Sequence, residues 1–234
     1  MTKKILLAWS GGKDSALALY EIKKRRDLEI VSLITTITDD YDRISMHGVR
    51  RVLLESQAES LGIPLYNIFI SKDCSDEEYG HKMKETLTRF SRLGVTAVVF
   101  GDIFLEDLRR FREEQLSKVG MKGIFPLWKK DTSELAREFI NLGFRAIITS
   151  MDSEVLDRKF VGREIDEEFL AQIPLGVDPC GENGEFHSFV FSGPIFKKRV
   201  LFRTGKVVFR ENRFYYGDLE PVSPDQFSGA PPEC

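Results

Sequence analysis

The sequence is poor in the residue types that commonly mark redox chemistry or location. Its 234 residues include only three cysteines, three histidines and two tryptophans. Cys74, Cys180 and Cys234 are odd in number and widely separated. They show neither a C-x-x-C pair nor zinc-ligand spacing, which argues against a disulfide framework or a cysteine-built metal site. Reduced thiols in a cytoplasm fit this usage best. No stretch approaches the roughly 20 apolar residues that a membrane span or signal segment would suggest. The start, Met1-Thr2-Lys3-Lys4, runs straight into a short apolar strand, so the chain is expected to be soluble, unprocessed and without a membrane partner. Charge of one sign is lacking too: 34 basic and 37 acidic residues are interspersed, for a formal net charge of -3. With no global basic field to hold a phosphate backbone, nucleic acid is disfavoured as a partner. Internal repeats and low-complexity tracts are also missing.

What is present is enough hydrophobic residue, 42% of the chain, to bury a sizeable core. Apolar runs of strand length, rich in β-branched residues, alternate with longer amphipathic segments through the first two thirds. The pattern predicts strands at Lys4–Trp9, Glu29–Thr36, Leu65–Ile70, Thr96–Phe100 and Arg145–Thr149. Helices are predicted at Asp14–Lys24, Val49–Leu61, Asp76–Leu93, Asp107–Val119 and Ser133–Leu142. Right-handed crossovers should gather these strands into a parallel sheet covered on both faces, with ligands at the strands' carboxyl ends. Beyond about Ser150 the pattern changes. Helical stretches Ser153–Phe160 and Glu164–Gln172 precede a polar, Gly-rich segment and strand-like runs at Phe186–Phe191, Arg199–Thr204, Lys206–Glu211 and Arg213–Tyr216. Thr204-Gly205 and Glu211-Asn212 read as turns in a small antiparallel sheet. The expected organisation is an α/β nucleotide-binding domain over 1–150, a smaller α+β part over 151–222, and a frayed, proline-containing tail over 223–234.

The first strand ends at Ser10-Gly11-Gly12-Lys13-Asp14-Ser15, and the apolar helical stripe Ala16, Leu17, Leu19, Tyr20 follows at once. Adjacent glycines let the backbone turn its N–H groups into an anion-binding nest, and the helix N-terminus behind adds its positive end. Ser10 and Ser15 offer hydroxyls, and Lys13 a point charge. A tight turn in which Asp14 or Ser15 caps the helix accounts for the same residues, and both readings can hold at once. The glycine spacing departs from G-x-x-x-x-G-K-[ST], so an ordinary kinase or GTPase loop is not indicated.

In this position S-G-G-K-D-S resembles the pyrophosphate loop of the N-type ATP pyrophosphatases, in which ATP is cleaved between the α and β phosphates. Three further segments resemble one branch of that superfamily, the diphthine–ammonia ligases and their archaeal ATP-binding homologues. They are Arg43-Ile44-Ser45-Met46-His47-Gly48-Val49-Arg50, then Gly101-Asp102-Ile103, then Asp178-Pro179-Cys180-Gly181-Glu182-Asn183-Gly184-Glu185-Phe186-His187-Ser188-Phe189. Together they span nearly the whole chain. Read without the resemblance, His47 is a capping or packing residue, Asp102 a helix cap or a Mg²⁺ ligand at a strand end, and Cys180 pocket lining. The Arg109-Arg110-Phe111-Arg112 cluster is by default a solvated helix face. Trp128 is a packing residue. The density of hydrogen-bonding groups over 182–187 suggests recognition.

The resemblance implies an adenine nucleotide alpha hydrolase-like, Rossmann-like fold. It also implies an ATP-dependent ligase that amidates diphthine, a modified histidine of translation elongation factor 2, with ammonia. An acyl-adenylate would form, releasing AMP and pyrophosphate. On that basis Ser10, Gly11, Gly12, Lys13, Asp14, Ser15, Ser45, Met46 and His47 are expected at the nucleotide, with Lys13, Asp14 and Asp102 catalytic. Asp14 and Asp102 are the candidate Mg²⁺ ligands. Glu182, Asn183, Glu185 and His187 are expected at the substrate, where the glutamates with Phe186 and Phe189 would hold diphthine's trimethylammonium group. A homodimer is compatible with the sequence. Three rival readings remain: a tRNA-thiolating enzyme of the same superfamily with Cys180 as sulfur carrier, a non-catalytic adenine-nucleotide sensor, and a thiol hydrolase built on Cys180, His187 and Asn183.

Overall fold

A computed structural model describes residues 2–45 and 47–223. Its first sheet holds β1 (Lys3–Ala8), β2 (Leu28–Thr38), β3 (Arg43–Ile44), β4 (Leu65–Ile70), β5 (Val95–Val99) and β6 (Lys122–Ile124). The parallel strands run in the order β4-β2-β1-β5-β6, and the short β3 lies antiparallel against the end of β2. β1 shows why its sequence is almost continuously apolar. Ile5 and Leu7 pack into the core on one face and Leu6 into the core on the other, as a strand covered on both sides requires. Helices α1 (Lys13–Lys23), α2 (Arg51–Leu61) and α5 (Thr132–Asn141) cover one face, through Leu17, Leu53 and Phe139 among others. On the opposite face α3 (Asp76–Arg92) contributes Leu87 and Phe90, and α4 (Glu106–Ser117) contributes Leu116. α3 starts where the sequence predicts because the Ser75 hydroxyl accepts from Glu78 N at 3.2 Å, ahead of an acidic first turn.

The second sheet is antiparallel: β7 (Arg145–Asp152), β8 (Phe186–Ser192), β9 (Phe202–Arg210) and β10 (Phe214–Pro221), in the order β8-β7-β10-β9. Ala146, Ile148 and Phe189 from this sheet join the same hydrophobic core as Leu17 and Leu53. The expectation that Arg145–Thr149 joins the parallel sheet is corrected here. This strand is buried along nearly its whole length, and burial without alternation looks alike in either kind of sheet.

Other expectations also shift. The two strands expected over Arg199–Glu211 are one, β9, and Gly205 makes no turn. It lies within β9, where a Cβ would stand 3.2 Å from Asp218 Cβ and from Glu220 Oε1, beside an irregularity in the pairing with β10. The turn at Glu211-Asn212 is present, and its two residues take left-handed φ values of 55° and 52°, as a tight hairpin prefers. Of the helical stretches expected over 153–172, only a 3-10 turn at Arg158–Phe160 and helix α6 (Glu167–Gln172) form. The Asp166 carboxylate fixes the start of α6 by accepting from Phe169 N at 2.7 Å. The tail from 224 onward, with Cys234, lies outside the described residues.

The chain leaves β1 toward β2 and β4 on one side, then returns to add β5 and β6 on the other. The order therefore reverses between β1 and β5, and a crevice opens beyond their carboxyl ends. The residues after β1 and after β5 face that crevice.

Candidate functional site

The phosphate loop forms where β1 gives way to α1. Helical backbone begins after Gly12 (φ -89°, ψ 174°), which has no side chain to cap it. The capping role expected for Asp14 or Ser15 is thus corrected: both sit inside the first turn, where an acidic residue complements the helix dipole. Hydroxyls close the loop on itself. Ser15 Oγ donates to Gly12 O (2.8 Å), Ser10 Oγ donates to Ser15 Oγ (3.3 Å) and Gly12 N donates to Ser10 Oγ (3.2 Å). Gly11 adopts φ 75°, and a Cβ there would meet Leu54 Cδ2 at 2.7 Å and Gln57 Oε1 at 2.8 Å.

Neighbouring elements hold this loop in place. Gln57, fully buried on α2, accepts from Trp9 Nε1 at 2.8 Å and donates to Gly11 O at 3.0 Å and Val190 O at 2.6 Å. From β8, Ser188 Oγ accepts from Lys13 N at 3.2 Å, and Val190 N donates to Gly11 O at 2.8 Å. From β5, Gly101 presses so close that an added Cβ would lie 2.8 Å from Asp14 C and 3.0 Å from Ser15 N. Gln57 and Gly101 were missed by sequence reasoning. The signal for Gln57 was present: a polar residue on the apolar stripe Leu53, Leu54, Ala58, Leu61.

A cavity of about 650 Å³ opens over the loop. Ser10, Gly12, Lys13, Asp14, Ser15, Ser45, His47, Asp102, Glu182 and His187 all line it, so most of the expected site residues meet in one place. An apolar wall of Ile34, Ile68, Ile70, Tyr79 and Met83 faces them. Gly11, Asn183 and Glu185 lie outside the lining, and Met46 lies outside the described residues.

The geometry gives Glu185 work inside its own loop. It accepts from Asp178 N, Asn183 N and Asn183 Nδ2, each at 3.0 Å. Phe189 is fully buried away from the cavity, and the ring of Phe186 lies 5.6 Å from Lys13 Nζ. Of the two rings expected at a substrate cation, only Phe186 lines the cavity, and Lys13 already lies over it.

Lys13 is the electrostatic centre of the site. Its buried ammonium donates to both Asp14 oxygens at 2.8 Å and to the Cys180 carbonyl, tying the loop to the 178–187 segment. Burial opposes this charge, but Asp14, with Glu182, more than offsets it and holds the group above its ordinary pKa. Burial also keeps two imidazoles neutral. His187 is pushed down to about 4 by burial and then by Lys13. His47 is held well below its usual value by burial, then by His187 and Lys13. Their rings pack with centroids 4.1 Å apart, and His47 Nδ1 has no hydrogen bond among the described residues. Cys180 is buried, its thiol is pushed up to about 12 by burial, and its Sγ donates to Thr132 O at 3.4 Å. A thiol so protonated is a poor nucleophile or sulfur carrier, which argues against both rival readings built on Cys180.

Asp102 meets Arg112, whose Nη2 donates to Oδ1 at 3.0 Å and whose Nε lies 2.7 Å from Oδ2. The same guanidinium covers the Phe100 ring at 4.3 Å, while Arg109 stacks on Phe125 at 4.7 Å and on Trp128 at 4.6 Å. Arg109 and Arg112 are therefore packed rather than simply solvated, and Trp128 is a packing residue as expected. Among the described residues no group of three His, Cys, Asp or Glu gathers as a metal cage. The donor set fits a Mg²⁺ ion bound chiefly by phosphate oxygens and water. Both expected carboxylates are ion-paired, Asp14 through both oxygens to Lys13 and Asp102 to Arg112, and either would have to release its partner to bind such an ion.

The loop over 43–50 owes its sequence to a clamp. Arg43 Nη2 lies 2.9 Å from Asp218 Oδ1 on β10, and Arg50 donates to the same carboxylate at 3.1 Å and 2.6 Å. Arg43 also donates to Gly48 O at 2.6 Å. Gly48 itself takes φ 70° and lies so near Tyr216 that a Cβ would stand 2.8 Å from the ring.

Residues 3–123 match the family model for the diphthamide synthase N-terminal domain, and residues 131–219 match that for the diphthamide synthase C-terminal domain. The diphthine–ammonia ligase of Schizosaccharomyces pombe is 30% identical over 228 residues, 88% of this chain, which spans 37% of that relative's length. The diphthine–ammonia ligase of Homo sapiens is 27% identical over 222 residues, covering 85% of this chain and 82% of its own. That of Danio rerio is 28% identical over 214 residues, 82% of this chain and 83% of its own. Among solved structures, the U34-tRNA thiolase NcsA from Methanococcus maripaludis aligns with 60% of this chain and 57% of its own, at 18% identity and a TM-score of 0.38. With its two halves matched in order across nearly the full length, this chain belongs to the diphthamide synthase family.

Proposed function

We propose that this protein joins ammonia to the carboxyl group of diphthine on translation elongation factor 2, using ATP and releasing AMP and pyrophosphate through an acyl-adenylate. The observation that carries the reading is the shared cavity: the phosphate loop and Glu182 of the 178–187 segment face one space. The apolar wall of Ile34, Ile68, Ile70, Tyr79 and Met83 suits an adenine ring. The nest and first-turn N–H groups of α1 suit the phosphates. A carboxylate entering from the side of Glu182 then approaches the α-phosphorus, while Lys13 offsets charge on the departing pyrophosphate. A Mg²⁺ ion bound with the phosphates would supply further neutralisation of that charge. The segment tied to Lys13 through the Cys180 carbonyl shields the acyl-adenylate from water.

The decisive experiment supplies ATP, ammonium and diphthine-bearing elongation factor 2, then weighs the factor and identifies the nucleotide product. An amidated factor together with AMP is the expected result. ADP in place of AMP would overturn the adenylate route, and an unmodified factor would overturn the substrate.

A further inference from the structure

Glu182 belongs to the loop between α6 and β8, yet it reaches across the crevice to the residues that follow β5. Its Oε1 accepts from Ile103 N at 2.7 Å and from Phe104 N at 3.4 Å. Its Oε2 makes no hydrogen bond among the described residues, while the side chain lines the cavity with Lys13 and Asp14. Two backbone donors thus orient the carboxylate without using its second oxygen. A residue serving only to tie the loops would do as well as an amide, since the anchored atom is an acceptor in both.

The charged groups that act most on Glu182 are Asp14 and Lys13, and the buried Cys180 thiol also faces it. Burial pushes its pKa up to about 7; the Ile103 N–H acts against this, Asp14 with it, and Lys13 against it. A carboxylate near that value can both take and release a proton at neutral pH.

We propose that Glu182 Oε2 accepts the proton lost by the attacking nitrogen in the amide-forming step. This inference rests on the ligase reading above. The ammonia lone pair forms the C–N bond at the acyl carbon, one N–H proton passes to Oε2, and the C–O bond to the AMP phosphate breaks. AMP leaves with that electron pair, and Glu182, now a carboxylic acid, returns its proton to water. Nothing is oxidised or reduced.

Two half-reactions test the proposal separately. Exchange of labelled pyrophosphate into ATP, dependent on diphthine-bearing factor and run without ammonia, reads activation. The mass of the factor reads amidation. Glu182→Gln keeps the anchored acceptor, so amidation at pH 7 should fall by about 10²–10³-fold more than exchange does. Hydroxylamine should narrow that defect, because its adduct with the acyl carbon carries a more acidic nitrogen and needs less help to lose a proton. Unchanged amidation overturns the proposal. So do equal losses in both half-reactions, which would give Glu182 a part in binding the nucleotide or diphthine instead. If the unaltered protein shows no diphthine-dependent exchange, the ligase reading fails and the inference with it.

Discussion

At the scale of single residues, the site depends on close backbone approach as much as on charged side chains. Gly101 has no side chain because β5 must end against Asp14 and Ser15; a Cβ there would stand 2.9 Å from Asp14 O. Gly80, inside α3, has nothing within 4 Å of the same position. Gly101→Ala is therefore expected to displace the phosphate loop, lowering stability by about 1–3 kcal/mol, the usual range for overpacking. ATP affinity should fall with it. Gly80→Ala is expected to raise stability by about 0.5–1 kcal/mol through helix propensity alone. Urea unfolding and ATP titration of both variants check this. Normal ATP affinity in Gly101→Ala would show that the loop yields without loss.

The residues that carry charge at the loop were legible in the sequence because S-G-G-K-D-S packs its chemistry into six consecutive positions. Gln57 was not, since its three partners, Trp9, Gly11 and Val190, come from distant parts of the chain. Glu185 was hard to read for the opposite reason. A buried carboxylate in a polar loop looks like a ligand group until its acceptors are seen to be filled by its own loop.

At the scale of elements, the loop over 43–50 is held at the cavity by a strand that comes more than 150 residues later. Asp218 on β10 receives both Arg43 and Arg50. The three side chains are 25%, 38% and 21% exposed, so solvent screens the pair charges, and hydrogen-bond geometry carries more of the interaction. Asp218→Asn should cost about 1–2 kcal/mol of stability and should weaken ATP binding, because Ser45 and His47 on that loop line the cavity. Isothermal titration against ATP, beside a denaturant curve, separates the two effects. Lost stability with unchanged ATP affinity would show that the clamp serves the fold alone. The sequence displayed the two arginines and the glycine of this segment but not their common partner, for pairing across that separation leaves no local period to read. The second sheet was legible only in part for the same cause: β7 meets β8 and β10 through non-local antiparallel pairing, whereas each parallel strand is announced by the helix beside it.

At the scale of the whole molecule, the cavity sets how stability responds to acid. His187, pushed down to about 4, is neutral in the fold while the unfolded chain takes up a proton below about pH 6.5. Its contribution is therefore lost as pH falls from about 6.5 toward 4, and His47, also lowered by burial, adds to that loss. Glu182 has the opposite sign. Raised to about 7, it holds its proton in the fold more tightly than in the unfolded chain, so it adds stability as pH falls from about 7 toward 4.5 and loses it as pH rises through 7. Burial also raises Asp14 and Asp102, which act with Glu182, so between about pH 6.5 and 4.5 the carboxyls oppose the histidines and the unaltered protein should weaken only modestly. Single substitutions should expose the opposing contributions. Glu182→Gln removes one compensating group and should steepen the acid loss by about 1–2 kcal/mol over that window, after allowance for partial exposure. His187→Gln should flatten it by a similar amount. Melting temperatures at pH 7.5, 6.5, 5.5 and 4.5 for the three proteins measure the slopes, a range that stays above the acid limb where the Arg-paired Asp152 and Asp218, both held low, begin to protonate. Parallel curves for all three would mean that neither group changes its proton affinity on folding. The cavity would then be wetter than its packing implies, and the case for Glu182 as a proton acceptor at neutral pH would rest on geometry alone.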